Sequence, residues 1–244
     1  MSIRLISDIH LEPARQAQAQ GFIHYLADLP DDTEELYILG DFFEVWMGDD
    51  FAHPFVSAIK DALKAVSDRG ITIWLMHGNR DFLLGDQFAR ESGTILLEDP
   101  SVVTFGDERV LLMHGDSLCT ADVEYMKVRE MLRNKAWQAD FLNKSLEERM
   151  AFARQARSES QSAHQMKSAE IMDVTQADVD RCMQEADVSI LIHGHTHRPA
   201  VHDWLFDNQQ RQRLVLGDWS DSEGWEIIWN TEDGFALQQF SLRQ

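Results

Sequence analysis

Short apolar runs alternate with longer amphipathic stretches through the first half of the chain, the pattern of an α/β sheet protein. Ile3–Ser7, Leu36–Leu39 and Ile71–His77 read as strands, each stopping at polar residues. Between them, Gln16–Asp28 and Pro54–Asp68 have helical periodicity. Val102–Phe105 and Arg109–His114 flank Gly106-Asp107 as the arms of a hairpin would. Later come Val188–His193, Leu214–Leu216, Trp225–Trp229 and Ala236–Phe240, with Glu232-Asp233-Gly234 as a turn signal. A β-rich tail after an α/β start predicts a mixed sheet or two packed sheets. The middle differs: from about Thr120 to Asp187 there are helix formers and no convincing strand, with Thr175 placed to cap the last helix. This predicts a helical insertion over 122–167, set on a core made of 1–121 and 168–244.

Composition narrows the classes. The chain has 244 residues, 44% apolar and 26% charged, enough for a core that stands alone. Its formal net charge is −20, which argues against gripping nucleic acid over a broad surface and repels any anionic substrate. Such a substrate would need metal ions or a local basic patch. The two cysteines, Cys119 and Cys182, are too few for a disulfide framework and read as plain structural thiols. No apolar run approaches the roughly 18 residues of a membrane span, and Met1–Ser7 lacks the features of a signal peptide. The expectation is a soluble, intracellular catalyst with metal help.

Five segments place metal-type ligands where a predicted strand ends. They are Asp8-Ile9-His10, Gly40-Asp41, Gly78-Asn79-Arg80-Asp81, His114-Gly115-Asp116 and Gly194-His195-Thr196-His197. Asp8 and His10 are two apart, as are His195 and His197, so on extended backbone each pair shares a side. The glycines permit tight turns and close backbone approach. Any one segment alone is commonly an accident or a satisfied core pair; the ordered set at strand exits is not. His24, His53 and His202 read as surface residues. His77 and His193 face away from that cluster if Asn79 and His195 face in, as core groups or as supports behind the ligands. Trp46 and its aromatic neighbours read as core or pocket wall.

The set D-x-H, G-D, G-N-x-D, H-G and G-H-x-H resembles the calcineurin-like metallophosphoesterase superfamily. The resemblance implies a two-sheet αββα sandwich, a helical insertion as cap, and two divalent metals, with manganese the expected ion. It implies Asp8, His10, Asp41 and His197 on one metal and Asp41, Asn79, His114 and His195 on the other, Asp41 bridging. In such a pair the metals activate a shared water for in-line attack on phosphorus. The longer stretches Leu39–Asp50, His77–Gly85, Leu112–Asp116, Ile171–Val174 and Ile192–Ala200 resemble more narrowly the UDP-2,3-diacylglucosamine hydrolase family of lipid A synthesis. That narrower resemblance implies cleavage of a pyrophosphate to UMP and 2,3-diacylglucosamine 1-phosphate, at a cytoplasmic site peripheral to the inner membrane. It also implies Asp41, Asn79, Arg80, His114 and His195 in catalysis, and substrate contacts at Asn79, Arg80, Asp122, Ser160, His164, Lys167 and His195. At position 164 this chain has His where the resemblance leads one to expect Asn.

Arg80 stands where many members of the superfamily carry His. Arginine cannot donate a proton at neutral pH, which suits a phosphate monoester leaving group that needs none. Competing readings keep the metals with a soluble nucleotide or phosphoprotein as substrate, or discard catalysis for a scaffold; a scaffold would be expected to lack some of the seven ligands present here. From Met126 to Lys167 there are nine basic residues (Lys127, Arg129, Arg133, Lys135, Lys144, Arg149, Arg154, Arg157, Lys167) against five acids, so that segment is +4 within a chain of −20. Interleaved apolar residues at helical spacing predict either a stripe packed on the core with the charges as a solvated face, or a basic cap that admits acyl chains and approaches an anionic membrane.

Overall fold

Strand β1 (Ser2–Ile6) is covered on both faces, with Arg4 paired to Glu226 at 2.6 Å. Ile3 and Leu5 face a second sheet, while Ile6 faces helices. In this computed structural model the described residues are 1–166 and 171–242, with side chains described to residue 158 and from residue 171. The first sheet runs β11-β10-β1-β2-β3-β4 and the second β5-β6-β7-β9-β8. In the first, β1, β2 (Thr33–Leu39), β3 (Thr72–Met76) and β4 (Thr94–Leu97) are parallel. The tail hairpin of β10 (Glu223–Asn230) and β11 (Gly234–Ser241) adds antiparallel to β1. In the second, β6 (Glu108–Met113), β7 (Ile190–His193) and β9 (Gln209–Val215) are parallel, with β5 (Ser101–Phe105) and β8 (Ala200–Phe206) antiparallel at the edges.

Alternation then assigns each side chain to a layer. Leu39, Leu112, Ile192 and Leu214 pack between the sheets. Burying an aliphatic side chain of this size contributes about 1.5–3 kcal/mol. On the outer face of the first sheet, Phe22 of α1 (Gln16–Ala27), Leu63 of α2 (Pro54–Asp68) and Phe88 of α3 (Asp86–Ser92) close a second core against Ile38 and Leu75. On the outer face of the second, Val179 and Met183 of α7 (Gln176–Glu185) cover Leu111 and Leu191. The result is the αββα sandwich expected from the sequence.

Three elements escaped the sequence reading for physical reasons. β4 has four residues and α3 seven, too short for a period to show. β8 is an edge strand whose side chains are mostly exposed, so no apolar alternation marks it. Thr175 occupies the predicted cap position of α7, but its hydroxyl makes no cap hydrogen bond. It accepts instead from the Thr120 hydroxyl at 2.9 Å.

Between β6 and α7 the described residues form three α-helices, α4 (Val123–Arg133), α5 (Lys135–Leu142) and α6 (Leu146–Met166). Asp122 caps α4 by accepting from the Tyr125 amide at 3.1 Å, and Asn134 caps α5 by accepting from the Ala136 amide at 3.0 Å. Trp137 stacks on Phe141 at 4.9 Å, and Phe152 joins them. Arg149 does not belong to a solvated basic face. It is 2% exposed, and its guanidinium donates to the Met47 carbonyl and to both carboxylate oxygens of Asp50. A one-dimensional charge count could not see this, because the partners lie about a hundred residues away. No helix among the described residues is long and apolar enough to cross a membrane.

Arg149→Ala removes the guanidinium that ties α6 to the Met47–Asp50 loop. Hydrogen bonds to charged groups contribute about 1.5–3 kcal/mol, so the unfolding midpoint should fall by a few degrees. Chymotrypsin should cut within 135–158 several-fold faster than in the parent. Unchanged cleavage rates would show that this tie does not hold the helices down.

Candidate functional site

The strands that carry the motifs all deliver their C-terminal ends to one edge of the sandwich, where α/β folds build sites. β1 leads into Asp8 and His10, β2 into Asp41, β3 into Asn79 and Arg80, β6 into His114, and β7 into His195 and His197. Five of these residues hold left-handed backbone conformations: Asp8 (φ 53°), His10 (φ 53°), Asp41 (φ 49°), His195 (φ 66°) and His197 (φ 54°). That region is uncommon for residues with a Cβ, and each instance costs of order 1–3 kcal/mol. Their concentration at one edge marks a place where geometry is held against local preference.

The side chains converge in two overlapping groups. Asp8, His10 and His197 bring ligand-type atoms together, with the Nε2 atoms of the two histidines 3.2 Å apart and His197 Nε2 3.4 Å from Asp8 Oδ1. On the other side, Asn79 Oδ1 lies 3.0 Å from His114 Nε2 and 2.9 Å from His195 Nδ1. Asp41 faces both: Oδ2 is 3.8 Å from His10 Nε2 and Oδ1 is 3.7 Å from His114 Nε2. All seven predicted metal-ligand residues are therefore gathered in one cluster.

Backbone amides and carbonyls set the orientations. The His195 amide donates to Asp8, and the Arg80 amide donates to Asp41 Oδ1 at 2.8 Å. His114 Nδ1 donates to the Leu39 carbonyl at 2.9 Å, which turns Nε2 toward the cluster. Asp81 pins the loop from beneath by accepting from the amides of Gly78, Phe42 and Phe43 at 2.8, 2.7 and 3.2 Å. A Cβ at Gly78 would fall 2.1 Å from the Asp41 amide nitrogen, so only glycine lets the two loops touch.

The electrostatics favour positive charge at this edge. Burial alone would raise the Asp8 carboxyl, yet His197, His114 and His10 pull it well below the usual range. Burial would lower His114, but Asp41, Asp8 and Asp116 outweigh it and bring its pKa up to about 9. His195 is pushed down to about 3, by burial and then by His114. Buried carboxylates, an amide oxygen and imidazoles form a hard-to-borderline donor set without thiolate, which fits a divalent first-row cation. Cys119 is buried behind the site, its pKa pushed up to about 12 by burial and then by Asp116.

Around the cluster stand the other predicted contacts. Arg80 has Nη1 3.6 Å from Glu44 Oε1 and a buried Nε with no partner, so it keeps donors for a ligand. Asp122 is buried at the start of α4. Ser160 and His164 have side chains outside the described residues, and Lys167 lies outside them altogether. His77 turns away, 2.7 Å from the Leu84 carbonyl, and His193 is fully buried, as alternation requires. Trp46 is core, its indole donating to Asp49 at 3.0 Å.

Three neighbours were missed. Glu44 lies 2.9 Å from His10 Nδ1 and also pairs with Arg157 of α6 at 3.1 Å. Asp116 accepts from the Tyr125 hydroxyl at 2.9 Å and Arg129 Nε at 2.8 Å, tying α4 to the β6 loop. Asp218 lies 3.7 Å from His197 Nδ1. Glu44 and Asp116 stood inside the motif stretches, but only tertiary contact shows what they hold.

The calcineurin-like phosphoesterase family matches residues 1–199. A UDP-2,3-diacylglucosamine hydrolase of Chromohalobacter salexigens is 46% identical over 243 residues, covering 100% of this chain and 99% of that relative. One of Ectopseudomonas mendocina is 52% identical over 240 residues, covering 98% of each. Among solved structures, a novel archaeal phosphodiesterase aligns with a TM-score of 0.51 at 14% identity, over 99% of this chain and 100% of that one, a likeness of fold alone.

Gly78→Ala should lower divalent-metal affinity by about tenfold or more, since the added methyl must push apart the Asp41 and Asn79 loops. Metal analysis after dialysis checks this, with circular dichroism to show that the sheets persist. Full metal content in the folded variant would contradict the close packing of the loops.

Proposed function

The chain belongs to the calcineurin-like phosphoesterases and, among them, to the UDP-2,3-diacylglucosamine hydrolase family, and from that footing we propose that it cleaves the pyrophosphate of UDP-2,3-diacylglucosamine to UMP and 2,3-diacylglucosamine 1-phosphate in lipid A biosynthesis. It is a metal-dependent hydrolase. The observation that carries the reading is Asp41, whose two oxygens face two separate ligand groups. In this proposal Asp8, His10, Asp41 and His197 hold one divalent ion, and Asp41, Asn79, His114 and His195 hold a second, both manganese. When bound, the two ions supply an activated water and neutralise charge on the phosphoryl oxygens.

The chain's own groups prepare that chemistry. The Leu39 carbonyl accepts from the Nδ1 proton of His114, which turns its Nε2 lone pair inward, and the Glu44 carboxylate lies 2.9 Å from His10 Nδ1. Asp8, buried and held by the His195 amide, stays ionised. The Arg80 guanidinium clamps the pyrophosphate and stabilises charge developing on the leaving phosphate. It donates no proton, which a phosphate ester leaving group does not require. Asn79 and His195 border the same space and contact the phosphoryl group, and Asp122, Ser160, His164 and Lys167 are proposed to hold the sugar and its acyl groups.

We assign 122–167 as the cap on a core of 1–121 and 168–244. Of its cations, Arg129, Arg133, Arg149 and Arg157 are engaged with the core, whereas Lys127, Lys135, Lys144 and Arg154 are exposed. Exposed Val123, Val128, Met131, Leu142 and Phe152 lie among them. This face is proposed to meet an anionic membrane from the cytoplasmic side, without spanning it.

Turnover of UDP-2,3-diacylglucosamine should exceed that of ADP-ribose, cyclic AMP and a phosphopeptide, and should depend on manganese. Equal or greater turnover of a soluble substrate would overturn the substrate assignment. Arg80→Ala should cut turnover by roughly 10²–10³, the scale of one lost preorganised charge stabiliser, with the metals retained. Loss of metal in that variant would contradict the role given to Arg80. Changing Lys127, Lys144 and Arg154 together to Glu should weaken binding to anionic vesicles at low salt; binding equal to the parent's would remove the membrane face.

A further inference from the structure

The outer face of the second sheet carries a cationic cluster that the reaction does not use. Arg213 of β9 is 7% exposed, yet no carboxylate oxygen among the described residues lies within 4.0 Å of it. Its Nη1 is 3.3 Å from His193 Nε2. His193 Nδ1 donates to the Gly194 carbonyl at 2.8 Å, so Nε2 is the accepting nitrogen of a neutral ring. Arg213 Nε has no partner at all. Asp173 is the acid whose charge reaches Arg213, but at close range its carboxylate serves Arg198 at 2.6 Å and the Val174 amide at 2.7 Å.

A buried guanidinium balanced only by neutral or shared groups is costly, and a counter-anion removes that cost. The space for one is present. Arg213 lines a cavity of about 180 Å³ together with Asp173, Thr196, Arg198, Pro199 and His202, the Asp173 carboxylate being engaged with Arg198. Thr196 Oγ1 is a second buried polar atom without a partner. His202 lies directly across the β8–β9 ladder from Arg213. At about 30 Å³ per water the cavity exceeds a few waters but is too small for a whole nucleotide. Its donors come from three strands and loops rather than one plane, which matches a tetrahedral oxyanion better than a planar carboxylate.

We propose that this cavity binds a single phosphoryl group, with Arg213 and Thr196 at its floor and Arg198 and His202 at its mouth, apart from the site at the strand ends. The group comes from free phosphate or from the phosphate end of a nucleoside monophosphate whose sugar stays outside. Thr196 lies between His195 and His197, so occupancy also touches the loop that carries those two residues. The proposal does not rest on the identity of the substrate.

Local histidine signals separate this site from phosphate bound at the metals. His202 is held below its ordinary pKa by burial and then by Arg213, against Asp173 and Asp203, so a nearby oxyanion should raise it. In isotope-labelled protein loaded with zinc, a diamagnetic divalent ion, titration with inorganic phosphate should shift the His202 ring signals saturably and raise that pKa. Arg213→Met should weaken the response by about tenfold or more, the scale of a lost charged hydrogen bond. Thr196→Val should weaken it too, and serves if the Arg213 variant does not fold. A response to UMP but not to phosphate identifies the nucleotide as source, and a response to both identifies the free ion. Shifts confined to the histidines of the strand-end cluster, an equal response to acetate, or an unchanged response in both variants would overturn the proposal.

Discussion

Two buried carboxylates, Asp8 and Asp41, set the terms for the rest of the structure. A carboxylate taken from water must be paired or hydrogen-bonded, and each of these is held by a backbone amide from a different strand end. To reach those amides the loops after β1, β2 and β7 enter left-handed backbone conformations that their residues would not choose locally. The cost is met by the sandwich beneath, where Leu5, Leu39, Leu112 and Ile192 fix the strand ends from both sheets. Core packing and site geometry are thus one problem: sheets that shifted against each other would pull Asn79 away from His114 and His195.

A second layer of contacts turns the cluster into a directed site. Glu44 and the Leu39 carbonyl orient histidines, while Asp81 fastens the loop that presents Asn79 and Arg80. Asp116 extends the same framework outward, because Arg129 and Tyr125 of α4 both end on it. Arg133 adds a bond from α4 to the Gly78 carbonyl at 3.1 Å, on the loop that carries Asn79. The helices over the site therefore report directly to the loops that would hold metal and phosphate, and the Arg149 tie to Asp50 anchors their far side.

What the sequence could reveal follows from the range of each interaction. Strands β1, β2, β3, β6 and β7 are buried on both faces, so continuous apolar runs announced them, and their polar exits announced the ligand-type residues. Asp8 and His10, like His195 and His197, do reach the cluster, but on left-handed rather than the extended backbone their spacing suggested, and His195 and His197 fall in different ligand groups. Edge strand β8 and the short α3 gave no periodic signal. Glu44, Asp116 and Asp218 were silent for a different reason: each acts on a residue far along the chain or on a helix that only packing brings near. Arg149 was misread for the same reason, as a solvent-facing charge when its partner is Asp50.

The central claim is that Asp41 bridges two divalent ions between the two ligand groups. Anomalous diffraction from crystals of the manganese-loaded protein tests it directly. The account predicts two manganese peaks roughly 3.5–4 Å apart, one bounded by Asp8, His10 and His197 and the other by Asn79, His114 and His195, with a carboxylate oxygen of Asp41 on each. A single peak, or a pair in which Asp41 contacts only one ion, would contradict it.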